Sequence, residues 1–249
     1  MKNVLIVGYG CVGHNLAQEL KNLKPDIFDK YKTDCNTKRK IKYDFAFICV
    51  DTPYVNENNV CDITEVKNAI KETNAEVYII KSTVLPGTVD QLVKETDKKI
   101  IFSPEYYGGT QHCNNFEFDF TVLGGKKEEC LKVQQLLQNV YDGRHVFRIV
   151  DSTTAELCKY MENAFLATKV SFCGQFWLIA KKLGVNYEEL RECFVLDPRV
   201  GKSHTFVYDD KPYWQSHCLD KDVPAIADNQ NALLIKNVIE FNNYLKNNF

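Results

Sequence analysis

Val4-Leu5-Ile6-Val7-Gly8-Tyr9-Gly10-Cys11-Val12-Gly13 joins a short apolar run to a glycine-rich turn, and a helical pattern over 12–23 follows it. The run is too short for a helix and rich in branched side chains, so it reads as a buried strand. In that setting the glycines have separate tasks. Gly8 permits the tight turn, Gly10 lets backbone N–H groups approach a pyrophosphate, and Gly13 lets helix pack close to strand. An ordinary strand-to-helix turn has the same composition. The position between strand and helix makes a dinucleotide site the preferred reading, with Cys11 and Val12 inside the turn. A short strand at 27–28 leads to Asp29, about twenty residues further on, where a carboxylate can accept both ribose hydroxyls and repel a 2′-phosphate. That arrangement favours NAD.

Outward from this opening, strand patterns recur at 45–50, 77–80, 100–101, 121–123 and 146–150, with helical patterns at 63–73, 89–94 and 128–140 between them. Apolar runs alternating with amphipathic helices predict an α/β architecture: a doubly wound, Rossmann-like parallel sheet covered on both faces, over 1–150. After Asp151 the character changes. Thr153-Thr154-Ala155-Glu156 fits a capping box, in which Thr153 caps and Glu156 answers. A long helix to Leu183, a helix over 187–194, a loop over 199–217 and one last helical stretch over 223–245 predict an all-helical second domain, 151–249.

With 249 residues, 45% hydrophobic and 26% charged, the chain has ample material for a core and lacks the signature of disorder. A formal charge of −2 leaves no basic excess to neutralise a polymer of phosphates, so nucleic acid is not an expected partner. The densest basic stretch, 38–42, reads as a solvated loop. Ten cysteines without a CxxC pair, and no secretory pattern before Val4, predict reduced thiols in a cytoplasmic protein. His112-Cys113 and His217-Cys218 have no zinc-like spacing, so no metal is expected. The most apolar helical window, 165–180, contains Lys169 and Gln175, and no membrane span is expected.

Three further motifs fall at carboxyl ends of strands, where ligands of open α/β sheets gather. They are Val50-Asp51-Thr52-Pro53, the run Lys81-Ser82-Thr83-Val84-Leu85-Pro86-Gly87-Thr88, and Ser103-Pro104-Glu105-Tyr106-Tyr107. Turn formation alone also accounts for such Ser, Thr and Pro residues. Lys159 and Asn163 share one helix face with Glu156, for which a solvated face is the plainer account. Cys218-Leu219-Asp220-Lys221-Asp222 sets a thiol beside a lysine and two carboxylates. Nearby cations activate a thiol, although a buried, inert cysteine is the plainer account there too.

Taken in this order, the glycine turn, the V-x-T-P turn, the K-S-T-V-x-x-G-T run, the S-P-E element, the A-E-x-x-K-x-x-x-N-A-F-x-A-x-K helix over 155–169, Arg199-Val200-Gly201 and the C-x-x-K-D element resemble the UDP-glucose/GDP-mannose dehydrogenase family over nearly all of 1–245. The resemblance implies oxidation of a nucleotide sugar's C6 alcohol to a carboxylate with two NAD, UDP-glucose being the expected substrate. It implies that Cys218 captures the intermediate aldehyde, that Lys159 and Asn163 stabilise oxyanions, and that Asp222 acts as a base or orients water. Glu105 would handle the proton of the hydrolytic water, with Thr83 between it and the cofactor. Gly8, Gly10, Cys11, Val12, Gly13, Asp29, Val50, Thr52, Ser82, Thr83 and Lys221 would hold NAD; Glu105, Tyr106, Tyr107, Lys159, Asn163 and Arg199 would meet the substrate. Arg199 would reach a neighbouring subunit's substrate, which implies a homodimer through the helical domain.

Some features depart from the family pattern. The resemblance stops before the third, C-terminal domain that family members usually carry as part of the nucleotide pocket. Residues 212–217 replace a glycine-rich loop, the segment between Asp29 and Phe45 is short, and Gly109 stands where an acidic residue is common. Two other readings stay open beside the nucleotide-sugar dehydrogenase, whichever sugar it takes. One is a non-catalytic NAD- or nucleotide-binding subunit derived from such an enzyme; the other is a single-step hydroxy-acid dehydrogenase that needs no thiol.

Overall fold

Val4–Val7 forms a first strand, β1, whose four side chains are all buried, alternately on the two faces of a central sheet. A computed structural model describes residues 2–38, 40, 42–55, 60–107 and 118–249. Gly109, His112 and Cys113, and Arg39 and Ile41 of the basic stretch, lie outside the described residues. The chain divides into two units, Met1–Lys159 and Tyr160–Phe249.

In the first unit, β1 is followed by α1 (Cys11–Glu19), β2 (Asp26–Phe28) and β3 (Tyr43–Ile48). A small antiparallel pair, β4 (Tyr54–Val55) and β5 (Val60–Cys61), precedes α2 (Thr64–Glu72). Then come β6 (Ala75–Ile80), α3 (Thr88–Thr96), β7 (Ile100–Phe102), β8 (Phe120–Gly124), α4 (Lys127–Leu137) and β9 (Val146–Val150). The seven strands of the main sheet run in the order β2-β1-β3-β6-β7-β8-β9. The chain therefore reverses its direction of travel between β1 and β3. That switch point opens a crevice at the carboxyl ends of those strands, beside the glycine turn.

Two apolar layers follow from the alternation of side chains along the strands. Ile6, Phe45, Phe47 and Ile79 pack with Leu16 of α1 and with Val133 and Leu136 of α4. Leu5, Val7, Ile48 and Ile80 pack with Val66 and Ile70 of α2, and with Val89 and Leu92 of α3. Covering both faces is what excludes water from the ladder and lets the strands be apolar throughout.

Three expectations are corrected. The sheet is mixed, because β8 lies antiparallel to β7 through Phe102 and Gly124 while pairing in parallel with β9; apolar periodicity carries no information on strand direction. The capping box does not form. The long helix α5 (Ser152–Leu183) starts earlier, and Asp151 caps it, its carboxylate accepting from the Thr154 N–H at 2.8 Å and the Thr154 hydroxyl at 2.6 Å. The last helical stretch is two helices, α7 (Leu219–Asn229) and α8 (Leu233–Asn248), broken where Asn231 takes a left-handed backbone, φ 50°.

The second unit holds the rest of α5, α6 (Tyr187–Phe194), α7 and α8. Ala167, Trp214, Val223 and Val238 form one apolar cluster of its interior, where Trp177 and Leu245 are buried too. Trp214 pins the loop before α7: its N–H donates to Asn242 Oδ1 and its carbonyl accepts from Asn242 Nδ2, at 2.9 and 3.0 Å. Its indole N–H donates to Ser171 Oγ at 3.1 Å.

Gly124, at the end of β8, has no room for a side chain, since a β-carbon there would lie 2.3 Å from that of Ala155. Gly124→Ala is expected to lower stability by about 1–3 kcal/mol. Gly143→Ala, which faces open space, should stay within about 0.5 kcal/mol. Urea denaturation of the two variants checks the contrast.

Candidate active site

At the glycine turn, the space available decides what can bind. A β-carbon on Gly13 would sit 1.9 Å from the Gly8 carbonyl oxygen, and one on Gly8 would sit 2.5 Å from that of Cys49. Gly8 also has φ +92°, which favours glycine. Gly10 has no heavy atom within 4 Å of such a carbon. Gly8 and Gly13 are thus packing requirements, while Gly10 faces open space at the start of α1. Gly10 offers no side-chain cap there, so the leading N–H groups at Cys11, Val12 and Gly13 are left for an anion. A cavity of about 720 Å³ opens beside them, lined by Tyr9, Gly10, Cys11, His14, Tyr31 and Lys32 among others. These features fit a dinucleotide.

Asp29 stands at the end of β2 and is buried. Its Oδ2 accepts from the Tyr9 N–H at 2.6 Å, and its Oδ1 from those of Tyr31 and Lys32 at 2.8 and 2.7 Å. Burial opposes its charge, but these N–H groups and the nearby Lys32 ammonium hold the carboxyl below the usual carboxylate range. The carboxylate therefore fixes the turn that borders the cavity, a role that spacing alone did not reveal.

The hydroxyls at the next strand ends latch two loops together. Ser82 Oγ donates to the Val50 carbonyl at 2.6 Å, and Thr52 Oγ1 donates to the Thr83 carbonyl at 2.7 Å. Glu105 pairs with Lys81 at 3.1 Å, with side chains only 13% and 10% exposed, and its Oε1 accepts from the Tyr106 N–H at 2.8 Å. Lys81 had stood out only as part of a run; the fold brings it to a carboxylate 24 positions later in the chain. Lys159 is buried, not solvated, and its ammonium lies 4.9 Å from the centroid of the Tyr106 ring. Tyr107 is half-buried beside it in sequence.

Glu156 is fully buried one turn earlier on α5. Its two carboxylate oxygens accept from the N–H groups of Gly87 and Val89, at 2.6 and 2.8 Å, so it caps α3 from a distance. Burial pushes its carboxyl up to about 7 against these two donors, and Asp90 and Asp151 add to the rise.

In the second unit, Asn163 Nδ2 donates to Asp222 Oδ2 at 2.7 Å, both residues being buried. Lys221 pairs with the other oxygen of Asp222 at 2.5 Å. Cys218 occupies the N-cap position of α7, one turn before Asp222, whose N–H donates to the Cys218 carbonyl at 2.8 Å. The thiol is exposed, contrary to the plainer account of a buried cysteine. Arg199 is exposed and forked onto Asp197, its Nη2 2.6 Å from Oδ2. Among the described residues no cluster of His, Cys, Asp and Glu could hold a metal, and no helix is long and apolar enough to cross a membrane.

Residues 27–144 match the NAD binding domain of the UDP-glucose/GDP-mannose dehydrogenase family, and residues 153–244 match its central domain. A UDP-N-acetyl-D-mannosamine dehydrogenase of Methanocaldococcus jannaschii is 29% identical over 81% of this chain and 48% of its own length. A UDP-glucose 6-dehydrogenase of Rickettsia typhi is 27% identical over 90% of this chain and 52% of its own. The chain thus spans about half the length of these curated relatives. The solved structure of a UDP-glucose dehydrogenase from Pyrobaculum islandicum superposes with a TM-score of 0.83 at 23% identity, covering 98% of this chain and 68% of that one. That likeness shows the α/β Rossmann-like fold.

Glu156 has a pH signature of known sign. Its folded carboxyl titrates above the ordinary 4.5, so the folded state holds the extra proton and stability falls as pH rises from about 4.5 to about 7. Relative to Glu156→Gln, the wild-type chain should lose on the order of 3 kcal/mol across that window. Denaturant midpoints of both proteins measured at several pH values check this.

Proposed function

Because the chain belongs to the UDP-glucose/GDP-mannose dehydrogenase family and carries its NAD-binding domain, we propose that it oxidises the C6 alcohol of a nucleotide sugar to a carboxylate, with UDP-glucose as substrate. The observation that supports this most directly is the exposed Cys218 thiol at the start of α7, one turn from a buried, ion-paired Asp222. An inert core cysteine would need neither exposure nor such neighbours.

NAD, when bound, supplies the two-electron acceptor for each of two oxidations. Gly8, Gly10, Cys11, Val12 and Gly13 would hold its pyrophosphate, with Asp29 fixing the adjoining turn and Val50, Thr52, Ser82 and Thr83 bordering it at the strand ends. The alcohol first becomes an aldehyde. Cys218 Sγ then bonds to the aldehyde carbon, giving a thiohemiacetal whose oxidation yields a thioester; water displaces the thiol and leaves the acid. Lys159 and Asn163 donate to the oxygen that carries negative charge in these steps. Asp222, oriented by Asn163 and Lys221, and Glu105, held by Lys81, are the carboxylates that move the protons of thiol and water.

A second copy of the chain is the proposed partner. Met161, Phe165, Phe172, Phe176, Ile179 and Leu183 are all exposed on α5, at intervals of three, four and seven that keep them on one helix face. A mainly apolar stripe of this kind, with the Lys169 ammonium over the Phe165 ring at 5.9 Å, is self-complementary in an isologous pair.

Turnover should release two reduced cofactors per sugar, followed by absorbance as UDP-glucose, UDP-N-acetylmannosamine and GDP-mannose are presented in turn. Cys218→Ser should not complete the cycle; undiminished activity in it sinks the thioester route and favours single-step oxidation. NAD binding without turnover of any of these sugars would instead support the non-catalytic reading.

Phe172→Asp with Phe176→Asp should convert a dimer to a monomer in sedimentation. A wild-type chain that is already monomeric at high concentration would overturn the pairing.

A further inference from the structure

We infer that Glu156 is a positioning residue: its buried carboxylate locks the loop that carries Thr83 to the turn of α5 that presents Lys159. This deepens the function proposed above and rests on it. The loop runs from the end of β6 to the start of α3, and it is held at both ends. Ser82 and Thr52 latch its beginning to the loop after β3, while Glu156 takes the N–H groups of Gly87 and Val89 at its end.

Gly87 cannot cap α3 itself. It has no side chain, and its φ of +92° disfavours residues that could supply one. The orphan N–H groups of α3 therefore take their acceptor from α5, and Ser152 adds a second tie, its hydroxyl donating to Asp90 Oδ1 at 2.6 Å. Three residues after Glu156, on the same helix face, the Lys159 ammonium lies over the Tyr106 ring. A displacement of this turn relative to the loop would thus shift Lys159 relative to the backbone that carries Thr83.

Stability alone is a poor reason for this carboxylate. The charged form is the costly one in so buried a place, and Asp90 and Asp151 face it with like charge. A neutral or apolar side chain would avoid that cost. What the carboxylate uniquely offers is two acceptors on two donors, which fixes distance and angle together.

The test compares, at about pH 8 where Glu156 is charged, the wild-type chain with Glu156→Gln, Lys159→Ala and the double variant. Two readouts do not need turnover: amide exchange at Gly87 and Val89, and the NMR shift of reductively ¹³C-methylated Lys159. In Glu156→Gln we expect the two amides to exchange about 10- to 100-fold faster and the Lys159 resonance to move. With a nucleotide-sugar substrate, kcat should fall about 10- to 100-fold with KM nearly unchanged, and the double variant should be no slower than Lys159→Ala alone.

A lowered denaturation midpoint with kcat per folded molecule and the Lys159 resonance both unchanged would reduce Glu156 to a structural residue and overturn the inference. Additive losses in the double variant would do the same. If the wild type turns over no nucleotide sugar, the proposed function fails, and the amide and lysine readouts still decide the lock. Should Glu156→Gln not fold, Glu156→Asp keeps the charge, shortens the reach and yields the same readouts.

Discussion

The contact between Gly13 and the Gly8 carbonyl leaves no space for a single methyl group, and much of the first unit is arranged around that approach. It brings the start of α1 against the end of β1, so that the helix's unpaired N–H groups face the crevice at the switch point. Gly8 itself is wedged against the Cys49 carbonyl at the end of β3. The turn is therefore registered to both strands that flank the crevice. Asp29 completes the arrangement by gathering three backbone N–H groups at the end of β2.

Around that frame, side chains that a sequence reader would assign to ligands serve first to hold loops. Ser82 and Thr52 tie neighbouring strand ends to each other, and Glu156 supplies the cap that Gly87 lacks. Charged groups in the interior come with partners: Glu105 with Lys81, Asp222 with Lys221 and Asn163, and Lys159 with the face of Tyr106. Burying ions is expensive even when they are paired, so such pairs add little to stability compared with apolar side chains of the same size. Buried charge pairs of this kind are common where a site must hold charged groups in place, which is the use proposed for them above.

The strands and most helices were legible because burial on both faces of a sheet imposes apolar runs, and these runs survive in the sequence as a pattern. Strand direction left no such trace, so the antiparallel β8 was missed. The capping box failed for a different reason. Thr153 and Glu156 have the right spacing, but the same spacing also leaves a carboxylate on a buried helix face, and α3 offered it better donors than its own helix did. The break between α7 and α8 was hidden because a left-handed Asn231 costs little and interrupts the apolar period only briefly.

By itself the sequence determined the order of elements, the glycine turn, the preference for NAD and the family, since each rests on local spacing or on motifs in order. Tertiary structure decided which polar residues are buried and what they touch. Lys159 and Asn163 read as a solvated face and Cys218 as a buried thiol, and the fold reversed both. The physical reason is that burial is a property of the surroundings. Whether a lysine meets water or an aromatic ring depends on segments far away in the chain, which helical or strand periodicity does not encode.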